Sequence, residues 1–298
     1  MGANATQRAL PVRVWQKIQT LPRTGLKLNA QLQAPRALDP AYRMVIAVAR
    51  RTPLSRGGFR RAILNFIKAR VDHPIITDFR GVPFILNLDN TTEAKALFGY
   101  YNIDELNFLN AGLPDTGAVF VDMGANSGFF TQNFLARTKG TGHALAIEPN
   151  PKMCARIRAN YEILQAQSKT GVSKLSLEQC AVGDVSAVME LDLSTGYGGA
   201  HATDEKSAHS ITVQVEPFET LLRRNGIEKI DVMKVDVEGF EDRALIPFFK
   251  NAPQSLFPKH IIIEHTSQDQ WVGDLFGVMK DAGYRTVKTT RGNMFLSR

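Results

Sequence analysis

A chain of 298 residues, 44% apolar and 22% charged, is long enough for one large domain with an appendage and has the composition of an ordinary globular protein. No apolar run approaches the roughly 20 residues a membrane-spanning helix needs, and two cysteines, Cys154 and Cys180, make neither a disulfide framework nor a zinc motif, which points to a reducing, cytoplasmic setting. The net charge of +7 is lopsided: residues 1–70 carry 14 Lys/Arg and one acid, Asp39, a net of +13, while the remainder carries 22 basic and 28 acidic residues, a net of −6.

Residues 1–40 hold Pro11, Pro22, Pro35 and Pro40 without a clear period and read as loosely ordered. Arg-rich and almost acid-free, they have the makeup of a mitochondrial transit peptide and equally of a bacterial basic extension. Residues 41–51 and 58–70 read as helices. In the second, Phe59, Ile63, Phe66 and Ile67 share a face, with Arg60, Arg61, Lys68 and Arg70 around it. One reading is a helix packed on the domain with a solvated basic side. The other is peripheral contact of residues 41–70 with a membrane surface or an anionic glycolipid. Ile75–Phe79 and Val82–Leu88 flank Arg80-Gly81 and predict a hairpin, followed by short helices near 93–98 and 104–111.

From Val119 on, strands and helices alternate. Strand 119–123 leads to a helix near 129–137, and strand 143–147 to a helix over 151–164 that starts at Pro151, where a missing N–H costs little. Leu175–Cys180 is a third strand. Val188–Leu193 and Ile211–Val215 flank a Gly/Ser/His-rich loop, 194–210, long enough to be functional. Then come a helix over 218–225, the strand Ile230–Val235, a helix over 240–249 and the strand His260–Ile263. A helix over 269–282 buries Trp271, Leu275, Val278 and Met279, and Tyr284–Val287 with Asn293–Leu296 closes the chain as a hairpin. This alternation predicts an α/β fold with a doubly wound, mostly parallel sheet over 75–298, behind a basic, partly helical extension over 1–74.

Ligands of such sheets bind beyond the carboxyl ends of the strands, where the strand order reverses. Asp122, Glu148, Asp236 and Glu264 all fall at predicted carboxyl ends, more acids than structure alone explains. After Asp122 comes the turn Gly124-Ala125-Asn126-Ser127-Gly128, whose glycines let the backbone approach a ligand closely. Glu148 suits a ribose, since a carboxylate accepts both hydroxyl protons of a diol. A dinucleotide site would want G-x-G-x-x-G with a helix N-terminus on the pyrophosphate; an acid at Asp122 repels a diphosphate and suits an ammonium. S-adenosylmethionine has an amino-acid end, a ribose and an adenine, and no phosphate.

The ordered set Val121-Asp122-Met123-Gly124-Ala125-Asn126-Ser127-Gly128-Phe129, Ile147-Glu148-Pro149-Asn150-Pro151, Ala181-Val182-Gly183-Asp184, Met233-Lys234-Val235-Asp236-Val237-Glu238-Gly239-Phe240-Glu241 and Ile261-Ile262-Ile263-Glu264 resembles the FkbM family of S-adenosylmethionine-dependent methyltransferases, over roughly 75–298. The resemblance implies a seven-stranded class I methyltransferase sheet with a C-terminal antiparallel hairpin. It also implies methyl transfer to a hydroxyl of a sugar, a polyketide or another secondary metabolite. The basic residues and surface helix favour a saccharide on a lipid carrier or a cell-envelope glycan precursor as acceptor.

Within that frame Asp122 would hold the ammonium of the donor, directly or through water, with Gly124, Asn126 and Gly128 lining it; the lesser alternative for the same carboxylate is a helix N-cap. Glu148 would take the ribose hydroxyls with Asn150 nearby, or stand as a solvated loop acid. Ala181 and Asp184 would border the adenine, although Asp184 equally caps a turn. Transfer needs in-line alignment, and a sugar hydroxyl needs a base or a metal to take its proton. Asp236, Glu238 and Glu264 are the candidates, either together as ligands of Mg²⁺ or another hard cation or singly as the base. Glu238 or Glu241 would otherwise cap the following helix. Lys234, inside a buried strand pattern, pairs with a neighbouring acid. His265 is the best-placed histidine, and His201 and His209 lie in the 194–210 loop. Three rivals stand beside this reading. A nicotinamide-dependent enzyme on a similar sheet lacks its turn signature here. A nucleic-acid-binding protein using the basic segment lacks an aromatic platform. An RNA- or protein-methylating enzyme lacks its Asn/Asp-Pro-Pro-aromatic pattern, because the chain reads Asp236-Val237-Glu238-Gly239.

Overall fold

The structure, a computed structural model, describes residues 35–52, 54, 57–88, 90–193, 201–203 and 209–298. Residues 1–34 of the stretch expected to be loosely ordered, and most of the 194–210 loop, lie outside the described residues, whereas residues 35–40 hold a short strand, Arg36–Ala37, and the first residue of a helix. Contacts group the chain into two compact units, residues 1–101 with 162–167, and residues 102–161 with 168–298. This division falls after Tyr101, whereas the division by charge and motif falls after residue 74.

The first unit holds β1 (Arg36–Ala37), α1 (Pro40–Arg50), α2 (Gly57–Lys68), β2 (Ile75–Phe79), β3 (Val82–Leu86) and α3 (Thr91–Ala96). Asp39 caps α1 by accepting the Ala41 N–H at 2.8 Å, and Pro40 takes the first helical position, where no N–H is needed. Strands β2 and β3 form the expected hairpin, turning through Arg80 and Gly81 at φ 52° and 89°, the handedness that matches strand twist. Arg50 ends α1 by donating to the carbonyls of Leu97 (2.9 Å) and Asp78 (3.0 Å), which ties the helix to the hairpin.

The second unit holds α4 (Ile103–Ala111), β4 (Val119–Met123), α5 (Phe129–Thr138), β5 (His143–Ile147), α6 (Pro151–Gln167, its last six residues grouping with the first unit), β6 (Lys174–Glu178), β7 (Ala181–Gly183), β8 (Ala187–Asp192), β9 (His201–Thr203), β10 (Ser210–Pro217), α7 (Phe218–Arg224), β11 (Val232–Val235), α8 (Glu241–Asn251), β12 (His260–Glu264), α9 (Leu275–Asp281), β13 (Arg285–Thr289) and β14 (Asn293–Ser297). Seven strands make the main sheet in the order β13-β14-β12-β11-β4-β5-β6, in which β14 runs antiparallel to β12 and β13 on either side of it. A smaller sheet, β7-β10-β8-β9, stands beside it in the chain between β6 and α7.

Alternation along each strand sorts side chains onto two faces. Val121, Met123, Leu145, Ile147, Met233, Val235, Ile261 and Ile263 pack with Leu221, Leu245, Phe248, Leu275 and Met279 from α7, α8 and α9. On the opposite face Phe120 of β4 meets Phe134 of α5, with ring centroids 5.3 Å apart. Asp122 is two residues past Phe120, so it points to the α5 side.

The helix expected over 269–282 is broken. A single 3₁₀ turn, Gln268–Gln270, precedes α9, which begins at Leu275 because Asp274 caps it through the Gly277 N–H at 2.9 Å. Between them, Asp242 Oδ2 accepts the N–H groups of Val272 and Gly273 at 2.8 and 2.9 Å and holds a turn. Leu275 and Met279 are buried as expected, while Trp271 and Val278 are half-buried.

Candidate active site

The strand order reverses between β4 and β11. From β4 the chain winds outward through β5 to β6, and it later returns to pair β11 on the other edge of β4. Loops leaving these two strands therefore diverge and open a crevice beyond their carboxyl ends. Gly124 lies at its floor with φ 77°, and a Cβ there would overlap the main-chain carbonyl oxygen of Asp236. Only glycine lets the two walls come this close. Asn126 is also left-handed, at φ 50°, a conformation asparagine tolerates. Its N–H donates to Glu148 Oε2 at 2.7 Å, and the Asn150 N–H donates to Oε1 at 2.9 Å. Burial pushes Glu148 up to about 7 against the downward pull of those two donors. Gly128, at φ 80°, leads into α5, where a Cβ would press on Ile157 Cγ1 at 2.8 Å.

Asp122 is fully buried, and its two oxygens differ. Oδ2 accepts the N–H of Thr131 at 3.0 Å and its hydroxyl at 2.6 Å, so it caps the first turn of α5. Oδ1 is buried with no partner. Strand register places Asp122 opposite Lys234. Burial raises the Asp122 carboxyl; Lys234 and Thr131 pull it back down.

Lys234 pairs with an acid as expected: Nζ reaches Asp236 Oδ2 at 2.7 Å, and it lies 5.2 Å from the centre of the Phe130 ring. Burial alone would lower its pKa, but Asp236, Asp122 and Glu264 outweigh that and raise it, so Lys234 stays charged. Several carboxyls thus share one ammonium. Burial, then Asp236, pushes Glu264 up to about 7, and its Oε2 is buried without a partner. Burial, Asp236 and Glu241 raise Glu238 to about 7 as well. Glu238 also sits at φ 53°, a left-handed backbone that costs a glutamate about 1–3 kcal/mol. Glu241 fixes that conformation: its carboxylate accepts the N–H of Val237 (3.0 Å) and of Gly239 (3.1 Å), and Trp271 Nε1–H donates to it at 2.7 Å.

His265 follows β12. Its main-chain N–H donates to Gly292 and its ring Nε2 to the carbonyl of Thr290 at 3.2 Å. A carbonyl can only accept, so Nε2 carries the hydrogen and the lone pair of the neutral ring is on Nδ1. His209 is exposed, and the side chain of His201 lies outside the described residues. Ala181 opens β7 opposite Val215, and Asp184 is exposed just beyond it, which places both beside the smaller sheet.

The expected metal set is not assembled. Among the described residues, no group of three or more His, Cys, Asp or Glu side chains is disposed to hold a metal ion. In this arrangement the Lys234 ammonium holds Asp236 Oδ2 at 2.7 Å and is favoured by Asp122 and Glu264 as well. Sequence reasoning missed Thr131, Glu241 and Trp271 as supports. Thr131 could have been found from its place in the first turn after Gly128; the Glu241–Trp271 bond spans 30 residues and left no local signal.

The residues fit S-adenosylmethionine. The buried Oδ1 of Asp122, without a partner among the described residues, suits the ammonium end, each Glu148 oxygen retains a lone pair for a ribose hydroxyl, and the carboxyl groups gathered around Lys234 suit a cationic donor.

The family described as Methyltransferase FkbM domain matches residues 122–286. No curated protein matches the chain. Among solved structures, the chain is similar to a methyltransferase FkbM from Methylobacillus flagellatus KT at 14% identity, with 83% of this chain and 61% of that one covered and a TM-score of 0.39. It is similar at 10% identity to a SAM-dependent methyltransferase from Aquifex aeolicus, with 65% and 88% covered and a TM-score of 0.37. M. jannaschii TYW2 in complex with AdoMet is similar at 14% identity, with 75% and 83% covered and a TM-score of 0.35.

Proposed function

This chain belongs to the FkbM methyltransferase family, and from that premise we propose that it is an O-methyltransferase acting on a hydroxyl of a sugar, a glycan precursor or a secondary metabolite. S-adenosylmethionine, when bound, supplies a methyl group already activated on a cationic sulfur. The residues of the chain then have two tasks, to align the acceptor and to take its proton.

Alignment falls to the crevice walls. Asp122 holds the ammonium and Glu148 the ribose hydroxyls of the donor, while Gly124 and Asn126 shape the main chain between them. Proton removal falls to the rim beyond β11 and β12. The observation that carries the reading is the gathering of Asp236, Glu238 and Glu264 around Lys234 at the carboxyl ends of the neighbouring strands β11 and β12, with Glu238 and Glu264 each pushed up to about 7. A carboxyl poised near neutrality matches the requirement for a general base toward an alcohol. His265 offers a second acceptor at Nδ1, with its ring fixed by Thr290.

The test is incubation of the protein with labelled methyl donor and extracts of candidate glycans and metabolites, with and without chelator, followed by identification of the labelled product. The expected product is a methyl ether on a saccharide or metabolite. Label recovered only on protein or RNA defeats the reading.

A further inference from the structure

We propose that α1 and α2 form a docking face for an anionic phospholipid bilayer, a proposal independent of the methyl-transfer reading. Helical spacing normally marks a buried stripe, and on α1 it marks an exposed one. Ala41, Met44, Val45 and Val48 fall at i, i+3, i+4 and i+7, and all four are exposed, Met44 at 66% and Val48 at 52%. Ile46 and Ala49, on the other side of the same helix, are buried. On α2, Ile67 is buried while Phe59 and Phe66 stand 66% and 49% exposed. The helices adjoin where Tyr42 and Phe66 meet edge to face, with centroids 6.2 Å apart. Single exposed apolar side chains need no explanation, but Met44, Val45, Val48, Phe59 and Phe66 on two adjoining helices do.

Charge selects the occupant. Residues 40–71 contain Arg43, Arg50, Arg51, Arg56, Arg60, Arg61, Lys68 and Arg70 and no Asp or Glu. Arg51, Arg61 and Arg70 are exposed, and the Arg70 guanidinium lies 3.9 Å from the Phe66 ring centre. Apolar side chains that enter the acyl boundary, flanked by arginines that meet lipid phosphates, are the makeup of an interfacial helix. A nucleic acid would engage the arginines and leave Met44, Val48 and Phe59 in water. A second copy of this chain would bring a like-charged face.

The test is co-sedimentation of the full chain with vesicles of equal parts phosphatidylcholine and phosphatidylglycerol, compared with phosphatidylcholine alone. Binding is expected to the mixed vesicles and to be much weaker to the neutral ones. Met44→Ser with Phe59→Ser should lower partitioning at least about tenfold. Arg51→Gln with Arg61→Gln should lower it by about fivefold for each cation removed. Thermal unfolding of both variants should match the parent, since these side chains are exposed. The proposal is overturned if the full chain ignores anionic vesicles. It is equally overturned if the Met44/Phe59 variant binds as the parent does, which would hand the attraction to residues 1–34. Conversion of a dimer to a monomer by that variant, with vesicle binding unchanged, would assign the face to a second copy instead.

Discussion

Gly124→Ala is the most direct probe of the crevice. At φ 77° an alanine pays about 1–2 kcal/mol for the left-handed backbone. Its methyl group would also overlap the Asp236 carbonyl oxygen and stand 2.7 Å from the carbonyl carbon, where real Cβ atoms keep beyond 3.0 Å. Those are main-chain atoms, and the Asp236 N–H is bound to the Met123 carbonyl at 3.0 Å, so nothing can swing aside. Overpacking of this kind adds roughly 1–3 kcal/mol. The combined cost, about 2–5 kcal/mol, appears as lost stability if the loop stays in place and as lost donor affinity if it moves away. Gly117→Ala is the internal reference: φ there is 64°, but nothing lies within 4 Å of the added Cβ, so only the backbone cost applies. Urea unfolding and calorimetric titration with S-adenosylmethionine, run on both variants, separate the two costs. Indistinguishable behaviour of Gly124→Ala and Gly117→Ala would refute the close approach of β4 and β11.

Four further outcomes are expected. Asp122→Asn keeps an oxygen for the Thr131 N–H and should fold normally, yet bind the donor at least about tenfold more weakly by calorimetry for want of a charge; unchanged binding refutes the ammonium assignment. Lys234→Met strands the surrounding carboxylates and should cost about 3–5 kcal/mol in urea unfolding near neutral pH, and much less in acid, where the carboxyls are protonated; a loss that does not depend on pH contradicts this. Glu148, Glu238 and Glu264 are raised to about 7 in the folded chain, so their protonated forms favour folding. Their contribution is complete below the ordinary carboxyl pKa of about 4.5 and is lost as pH climbs through about 7; melting temperature should fall across that window, and Glu148→Gln should flatten the fall. Trp271→Phe removes the donor to Glu241 and should lower kcat with donor affinity unchanged, because it loosens the Glu238 backbone rather than the donor pocket; a matching loss of donor affinity argues against that division.

Much of the fold was legible because the relevant signals are local. An apolar run ending at Asp122, two glycines and a second apolar run ending before Glu148 are enough to locate β4, β5 and the crevice loop. What escaped the sequence depends on register. The pairing of Lys234 with a neighbouring acid was legible from its buried strand pattern, but nothing in the run Met233-Lys234-Val235-Asp236 says that Lys234 sits opposite Asp122 and is shared with Glu264. The helix drawn through 269–282 followed Trp271 as part of a helical stripe. In the structure the indole packs against Phe276, with centroids 5.1 Å apart, and bonds Glu241 from outside the helix. Periodicity on the helix over 58–70 likewise gave the apolar positions and not which of them meet water: Ile67 is buried and Phe59 is not.

Strand β14 lies between β12 and β13 although it follows both in the chain. During synthesis β12 must therefore wait with one edge open until β14 has been made, and His265 has no carbonyl to orient it until Thr290 has followed. The rim proposed to take the proton is thus completed only when β14, with its buried Phe295 and Leu296, closes the open edge of β12.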